Sequence, residues 1–332
     1  MICRIYLFSS LLLLCATTFA QDAPQPQPAP ALTNPQAKPA PGPSTSPQQP
    51  ASAPPATSPT GEKQIVPAAA ERHLHEAAIF EKDGNPENAI DEYKAAIREY
   101  PDYFQAHFYL GRLYLDKQGY SQAIAELQTA VNLRPQDSEA HDMLGLAMKR
   151  NGDLRGAVAE YQEAVRLNPR SPNAQSNLAG ALYRMRDYNG AVQHYRVALA
   201  LMPKENQKMS DAERNNLAIT HMNLGTVFDD AGKPDDAIAE YKEAIRLQPR
   251  NADSHYNLSV LYQRRKDVPS AISELRLAAK LAPDWPTPHI MLANLLKDSD
   301  PKAALDQCMM ADGLTHNAKL HDLCQELQHK AQ

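Results

Sequence analysis

The sequence predicts an all-α fold: a solenoid of short antiparallel helix pairs, preceded by a proline-rich segment and closed by one further helix. Three observations predict it. Near-copies of one stretch, residues 218–249, recur along most of the chain. Small and large apolar residues fall at fixed positions of each copy, and a proline closes it. Such periodicity is typical of stacked helix-pair repeats, in which each unit buries its apolar face against its neighbours.

The copy at residues 218–249 predicts two amphipathic helices joined by a tight turn. Gly225 and Ala237 are small enough for the helices to approach closely, and Phe228 and Tyr241 fill the space beside them. A Gly-Lys-Pro sequence marks the turn between the two helices.

Terminal prolines set the register of seven such units. They follow at intervals of 34, 34, 34, 46 and 34 residues: Pro101, Pro135, Pro169, Pro203, Pro249 and Pro283. Units one to seven begin at Ala70, Phe104, Ser138, Pro172, Ala218, Ala252 and Pro286. Positions are counted from the first residue of each unit. The seventh unit is one residue short between its two helices.

This small-large-small pattern with a closing proline resembles the tetratricopeptide repeat (TPR) family. The eighth position carries glycine, alanine or serine in every unit, and the twentieth carries alanine, one residue early in the seventh. The resemblance implies a right-handed TPR superhelical solenoid. It also implies a function in binding other proteins, on the concave surface that the first helices line.

The remaining segments are assigned from composition. Residues 1–20 hold an early cation, an apolar run and a Thr-Phe-Ala end, which predicts a signal peptide. An uncleaved anchor and a lipoprotein signal are the alternatives. Residues 21–67 are rich in proline, alanine, glutamine and serine, which predicts a disordered linker. We therefore expect an exported bacterial protein of the periplasm or cell envelope, or a secreted one, with membrane contact only through a retained or lipidated N-terminal segment.

The solenoid itself divides at an insertion. Repeats one to four are expected over residues 68–203 and repeats five to seven over 218–312. Residues 204–217 include a Ser-Asp-Ala-Glu sequence that predicts an extension of the next helix, with a disordered bulge as the alternative. Residues 313–332 carry apolar residues at i, i+3, i+4 and i+7, which predicts a capping helix.

Histidine recurs at the fourth position of every unit except the fourth, which has glutamine: His73, His107, His141, His221, His255 and His289, with Gln175. Equivalent positions of successive units lie about 8–10 Å apart. Ligands of one zinc ion each lie about 2 Å from it. We therefore expect packing residues and no metal site. If the rings are buried and neutral, charging them below about pH 6 would lower stability.

No motif indicates catalysis or a cofactor. The chain has no GxSxG, no phosphate-binding loop and no HExxH. Its formal net charge of -5 lacks the basic character of nucleic-acid-binding domains. We expect no catalytic residues, no cofactor and no nucleic-acid partner.

The resemblance implies that six positions of each first helix line a peptide-binding groove. Asparagine at the sixth position can bond a peptide backbone, and the cations of units two to four can pair an acidic side chain or a terminal carboxylate. The partner is then another protein, in an extended or helical segment. Ordinary solvated helix faces are the alternative. The candidates are Phe108, Tyr109, Arg112, Lys149, Arg150, Asn177, Tyr183, Arg184, Asn223, Tyr256, Asn257 and Arg264.

Three functions fit these features. The first is a non-catalytic scaffold that binds a protein segment in the groove. The others are a self-assembling envelope component and an accessory subunit that positions an envelope enzyme.

Cys308 and Cys324 fall on the core-facing stripes of neighbouring helices. Two separate buried thiols are the preferred interpretation, because the turn between the helices does not place them level. A disulfide is the alternative.

Overall fold

A computed structural model describes residues 66–203, 209–315 and 318–331. The signal peptide, nearly all of the linker and the first part of the insertion lie outside the described residues. Fifteen α-helices follow one another in the described ranges: α1 (Ala68–Lys82), α2 (Pro86–Glu99), α3 (Phe104–Asp116), α4 (Tyr120–Leu133), α5 (Ser138–Arg150), α6 (Leu154–Leu167), α7 (Pro172–Arg184), α8 (Tyr188–Leu201), α9 (Asp211–Asp230), α10 (Pro234–Leu247), α11 (Ala252–Arg264), α12 (Val268–Leu281), α13 (Pro286–Leu296), α14 (Pro301–Thr315) and α15 (Ala318–Lys330).

The helices stack in chain order. Each odd-numbered helix packs against the even-numbered helix that follows it, and each even-numbered helix packs against the next odd-numbered one. This confirms the all-α solenoid. The first helices α3, α5, α7 and α9 also contact one another from unit to unit, more closely than successive second helices do. The first helices therefore lie on the inner side of the curve.

Small residues at the eighth position let the two helices of a unit approach. A Cβ added to Gly225 would lie 2.9 Å from ring atoms of Tyr241, and one on Gly145 would lie 2.9 Å from ring atoms of Tyr161. These distances are too short for a side chain, so glycine and a buried tyrosine fit together. At the turn, Gly232 adopts a φ of 72°, which glycine tolerates best.

The position-four histidines join the two helices of their own unit. In five units Nδ1 lies 2.6–2.7 Å from a carboxylate oxygen nineteen residues later: His73–Glu92, His107–Glu126, His141–Glu160, His221–Glu240 and His255–Glu274. In units two, three and six Nε2 also bonds the carbonyl of the preceding terminal proline, at 2.8, 3.1 and 3.0 Å. We call this arrangement the histidine clamp.

The neutral ring, which was the condition for the predicted loss of stability in acid, is disfavoured at His107 and His255. Both ring nitrogens of His107 and His255 face oxygen acceptors, a carboxylate and a backbone carbonyl. Because two donating nitrogens occur only in the charged ring, this geometry favours the imidazolium. Burial lowers the pKa of His107, but the hydrogen bonds to Glu126 and to the Pro101 carbonyl outweigh it and raise that pKa. The hydrogen bond to Glu274 raises the pKa of His255 against the effect of burial.

Helix α9 begins at Asp211 and, with 20 residues, is the longest described helix. Its first turn is closed by a capping box: the Glu213 N–H donates to Ser210 Oγ at 3.2 Å, and the Ser210 N–H donates to Glu213 Oε2 at 2.8 Å. The described end of the insertion therefore continues directly into the first helix of unit five.

The C-terminal end differs from expectation in two ways. Helix α14 runs through Gly313 to Thr315, and α15 begins at Ala318. Cys308 and Cys324 form a disulfide, with Cα atoms 5.5 Å apart. The interpretation as separate thiols is wrong, since α15 folds back on α14 with the two cysteines level.

Candidate functional site

Two of the predicted groove cations are paired with acids of the preceding unit. Arg112 Nη2 lies 2.9 Å from a carboxylate oxygen of Glu81. Arg264 forms an ion pair with Asp229. Both pairs join one first helix to the next across the inner surface, so these cations serve the solenoid and not a free partner.

Two of the predicted polar contacts are likewise engaged between units. The Asn177 amide donates to both carboxylate oxygens of Asp142, at 3.0 and 3.1 Å. The Tyr183 hydroxyl donates to Asp230 at 2.6 Å and so links units four and five across the insertion. Among the described residues no donor is bonded to the oxygen of the Asn177 amide.

Lys149, Arg150 and Arg184 come together at the ends of α5 and α7. Burial, then Arg150 and Arg184, lower the pKa of Lys149, while Asp142 acts in the opposite direction. Within the described ranges no carboxylate forms an ion pair with any of the three cations. Arg150 and Arg184 are exposed, and the Lys149 ammonium lies 5.6 Å from the ring centroid of Tyr161. We call these three residues the cation cluster.

A buried hydroxyl lies beside the cation cluster. Tyr161 is fully buried, and its Oη has no hydrogen-bond partner among the residues described. Burial, with a contribution from Asp142, raises its pKa, while Arg150 lowers it. Burial also raises the pKa of Asp142. Two arginines and one acid act on Lys149, so positive charge outweighs negative charge at the cluster.

Phe108 does not lie on the surface. It is 6% exposed and its ring stacks on Phe104, with centroids 5.7 Å apart. The prediction that Phe108 contacts a ligand is wrong, because its large ring packs in the core.

The other candidates are half-buried on the inner face. The Arg112 guanidinium lies 5.0 Å from the centroid of the Tyr109 ring. Tyr256 packs against a tryptophan ring at 4.7 Å, and burial raises its pKa. Asn223 lies beside Tyr195, whose pKa burial raises to about 12. Asn257 is also half-buried. These residues lie along the groove outside the cation cluster.

One group of metal-ligating type occurs in the described part of the chain. His73, Glu76 and Glu92 offer ligand atoms within 4.8 Å of one another. The His73–Glu92 bond is the clamp that four other units share, and Glu76 is exposed. The group is therefore a histidine clamp with one additional solvated glutamate.

Comparison with known proteins identifies the family. Models described as tetratricopeptide repeat match residues 81–147, 143–206 and 222–286. The chain belongs to the TPR family. TPR arrays are protein-interaction scaffolds, and that coarse function applies to this TPR protein. No curated protein sequence matches it.

Solved structures share the TPR fold at low sequence identity. A TPR protein from Parabacteroides merdae has a TM-score of 0.57 at 14% identity, over 78% of this chain and 99% of that one. The pilF protein of Pseudomonas aeruginosa gives 0.55 at 21%, over 68% and 97%. The hetero-tetramer Cut9–Hcn1 gives 0.55 at 21%, over 69% of this chain but 42% of that chain. The TPR protein thus spans less than half of the Cut9–Hcn1 chain it matches.

No helix of the described TPR array has the length and apolar character that crossing a membrane requires.

Proposed function

We propose that this TPR protein is a non-catalytic scaffold outside the cytoplasm, and that its cation cluster binds an acidic segment of another protein. The observation that carries the proposal is that Lys149, Arg150 and Arg184 have no carboxylate partner among the described residues, on a surface where Arg112 and Arg264 are paired. Guanidinium groups bind carboxylates through two parallel hydrogen bonds, so two exposed arginines suit an acidic side chain or a terminal carboxylate.

Polar groups beside the cluster suit the backbone of the same segment. Asn177 uses its amide hydrogens on Asp142 and offers its oxygen to a peptide N–H. An extended or helical segment laid across α5 and α7 would meet this oxygen together with the cations of the cluster.

Export is supported by two independent features. The first is the predicted signal peptide of residues 1–20. The second is the disulfide between Cys308 and Cys324, a bond that persists in oxidising compartments and is rare in the cytosol. We place the scaffold in a bacterial periplasm or envelope on these grounds.

The binding proposal is tested by capture from an envelope extract. The bait with Arg150→Ala and Arg184→Ala is compared with wild type and with Arg170→Ala and Arg250→Ala, which remove the same charge from exposed turns. We expect the cluster variant to lose the partner and the turn variant to retain it. If both variants capture the partner equally and their circular dichroism is unchanged, the cation cluster does not bind it.

The molar mass of the protein in solution distinguishes a scaffold for other proteins from a self-assembling component. Light scattering over a wide concentration range should report a monomer if the scaffold acts on other proteins. A mass that rises with concentration would favour the self-assembling alternative.

A further inference from the structure

A second site lies at the other end of the array. A pocket of about 520 Å³ opens between the second helices α12 and α14, with α13 as its floor. This volume falls in the range of small-molecule sites, about 300–1,000 Å³. Its wall is mostly apolar and includes Leu292, Met310 and Leu314. Among the described residues its charged lining residues are Arg276 and Lys280, with no acid.

The pocket lies where unit seven departs from the repeat. This unit is one residue short, so His289 meets Gln307 eighteen residues later and not nineteen. The histidine clamp is also incomplete, because Nε2 of His289 is buried without a hydrogen-bond partner in the part of the chain described. In units two, three and six the same atom bonds the preceding proline carbonyl. The corresponding Pro283 lines the pocket together with His289.

The chemistry of the wall defines the ligand. Arg276 and Lys280 both line the pocket, and two cations favour a ligand oxygen that carries negative charge. The apolar remainder of the wall favours an alkyl chain attached to that oxygen.

We propose that this pocket binds an apolar monocarboxylate of the fatty-acid type. Arg276 and Lys280 hold the carboxylate, and Leu292, Met310 and Leu314 contact the alkyl chain. The site is independent of the cation cluster, since it lies on α12, α13 and α14 and shares no residue with the groove. A small ligand here would add a second binding function to the scaffold.

The test is a calorimetric titration of the full chain with decanoate. We expect saturable binding at one site per chain. Replacing Arg276 and Lys280 together by glutamine should weaken it about tenfold or more, the usual loss when charge-assisted hydrogen bonds are removed. Decyltrimethylammonium, which has the same chain and the opposite charge, should not compete.

Two neighbouring methionines provide a matched pair of variants. Met309 and Met310 are 62% and 57% exposed, and of the two only Met310 lines the pocket. Met310→Ala should weaken decanoate binding, and Met309→Ala should leave it unchanged. Because both side chains are exposed, neither change threatens the fold.

The proposal is overturned by any of three results. These are no saturable binding of decanoate, equal loss in Met309→Ala and Met310→Ala, or binding of decyltrimethylammonium as tight as that of decanoate. The last result would indicate a general apolar patch, which suits the surface of a partner protein and not a carboxylate.

Discussion

Gln175 and His194 form, in unit four, the helix-to-helix hydrogen bond that a histidine and a glutamate form in five other units, with the ring on the opposite helix. His194 Nδ1 donates to Gln175 Oε1 at 2.7 Å, and Gln175 Nε2 donates to the Pro169 carbonyl at 3.0 Å. Unit four therefore keeps both hydrogen bonds, the one between its two helices and the one to the proline carbonyl of the preceding unit. The units share this pair of hydrogen bonds, which either a histidine or a glutamine at the fourth position can form.

Stability should rise as the pH falls from about 8 to about 6.5. The folded-state pKa of His107 and of His255 is raised above the ordinary 6.5, so their contribution is complete below that value and is lost as the pH rises through the raised values. Burial lowers the pKa of His194, which opposes the trend only below about 6.5. Melting temperatures across this window measure the effect. A flat or falling midpoint on acidification to 6.5 would show that the rings are neutral.

Exchanging the clamp residues of unit two should rescue the loss of its histidine. His107→Ala should destabilise the protein by about 1–3 kcal/mol, because Glu126 and the Pro101 carbonyl lose their donor. The double variant His107→Gln with Glu126→His reproduces the pair of unit four and should regain most of that loss. Urea unfolding of the three proteins measures it. A double variant no more stable than His107→Ala would mean that the network is not interchangeable.

Reduction of the disulfide should loosen the C-terminal end of the array and leave the rest intact. The bond closes a loop with a sequence separation of 16. The lower entropy of the cross-linked unfolded chain predicts a stabilisation of about 3 kcal/mol for a loop of this length. Hydrogen exchange in α14 and α15 should accelerate in Cys308→Ser with Cys324→Ser, while α3 to α8 keep their protection. Unchanged exchange in α15 would show that its packing alone holds it.

Replacing a paired groove arginine should lower the stability of the protein, and replacing an unpaired one should not. Arg112→Ala removes an ion pair between units and should cost about 0.2–1 kcal/mol. Arg150→Ala removes a like charge beside Lys149 and should leave stability unchanged or slightly higher. Parallel urea titrations compare them. A larger loss from Arg150→Ala than from Arg112→Ala would show that Arg150 has a structural partner.

The sequence predicts much of the architecture, because the same spacing of small and large residues recurs in every unit. The spacing of Gly225 and Tyr241 requires two close helices, and the Ser210–Glu213 capping box marks the start of α9. The clamp could also have been found: glutamate stands nineteen residues after histidine in five units, and Gln175 with His194 shows the compensating exchange. This signal is a correlation between two positions nineteen residues apart, so looking at each position of the repeat by itself does not show it.

The remaining features depend on side-chain geometry that the repeat does not determine. Whether Arg112 is free or paired depends on the distance to Glu81 in the preceding unit. Phe108 occupies a position that faces the groove in the family, and its size takes it into the core. The level placement of Cys308 and Cys324 depends on the angle at which α15 folds back, which the degenerate last unit does not specify.

The central claim is that the cation cluster contacts another protein. A photoreactive residue in place of Arg184, compared with one in place of the exposed turn residue Arg170, tests it in intact cells that express the full chain. We expect a crosslink to a different protein from position 184 and none to that protein from position 170. Identical crosslinks from both positions, or crosslinks only to other copies of this chain, would contradict the account.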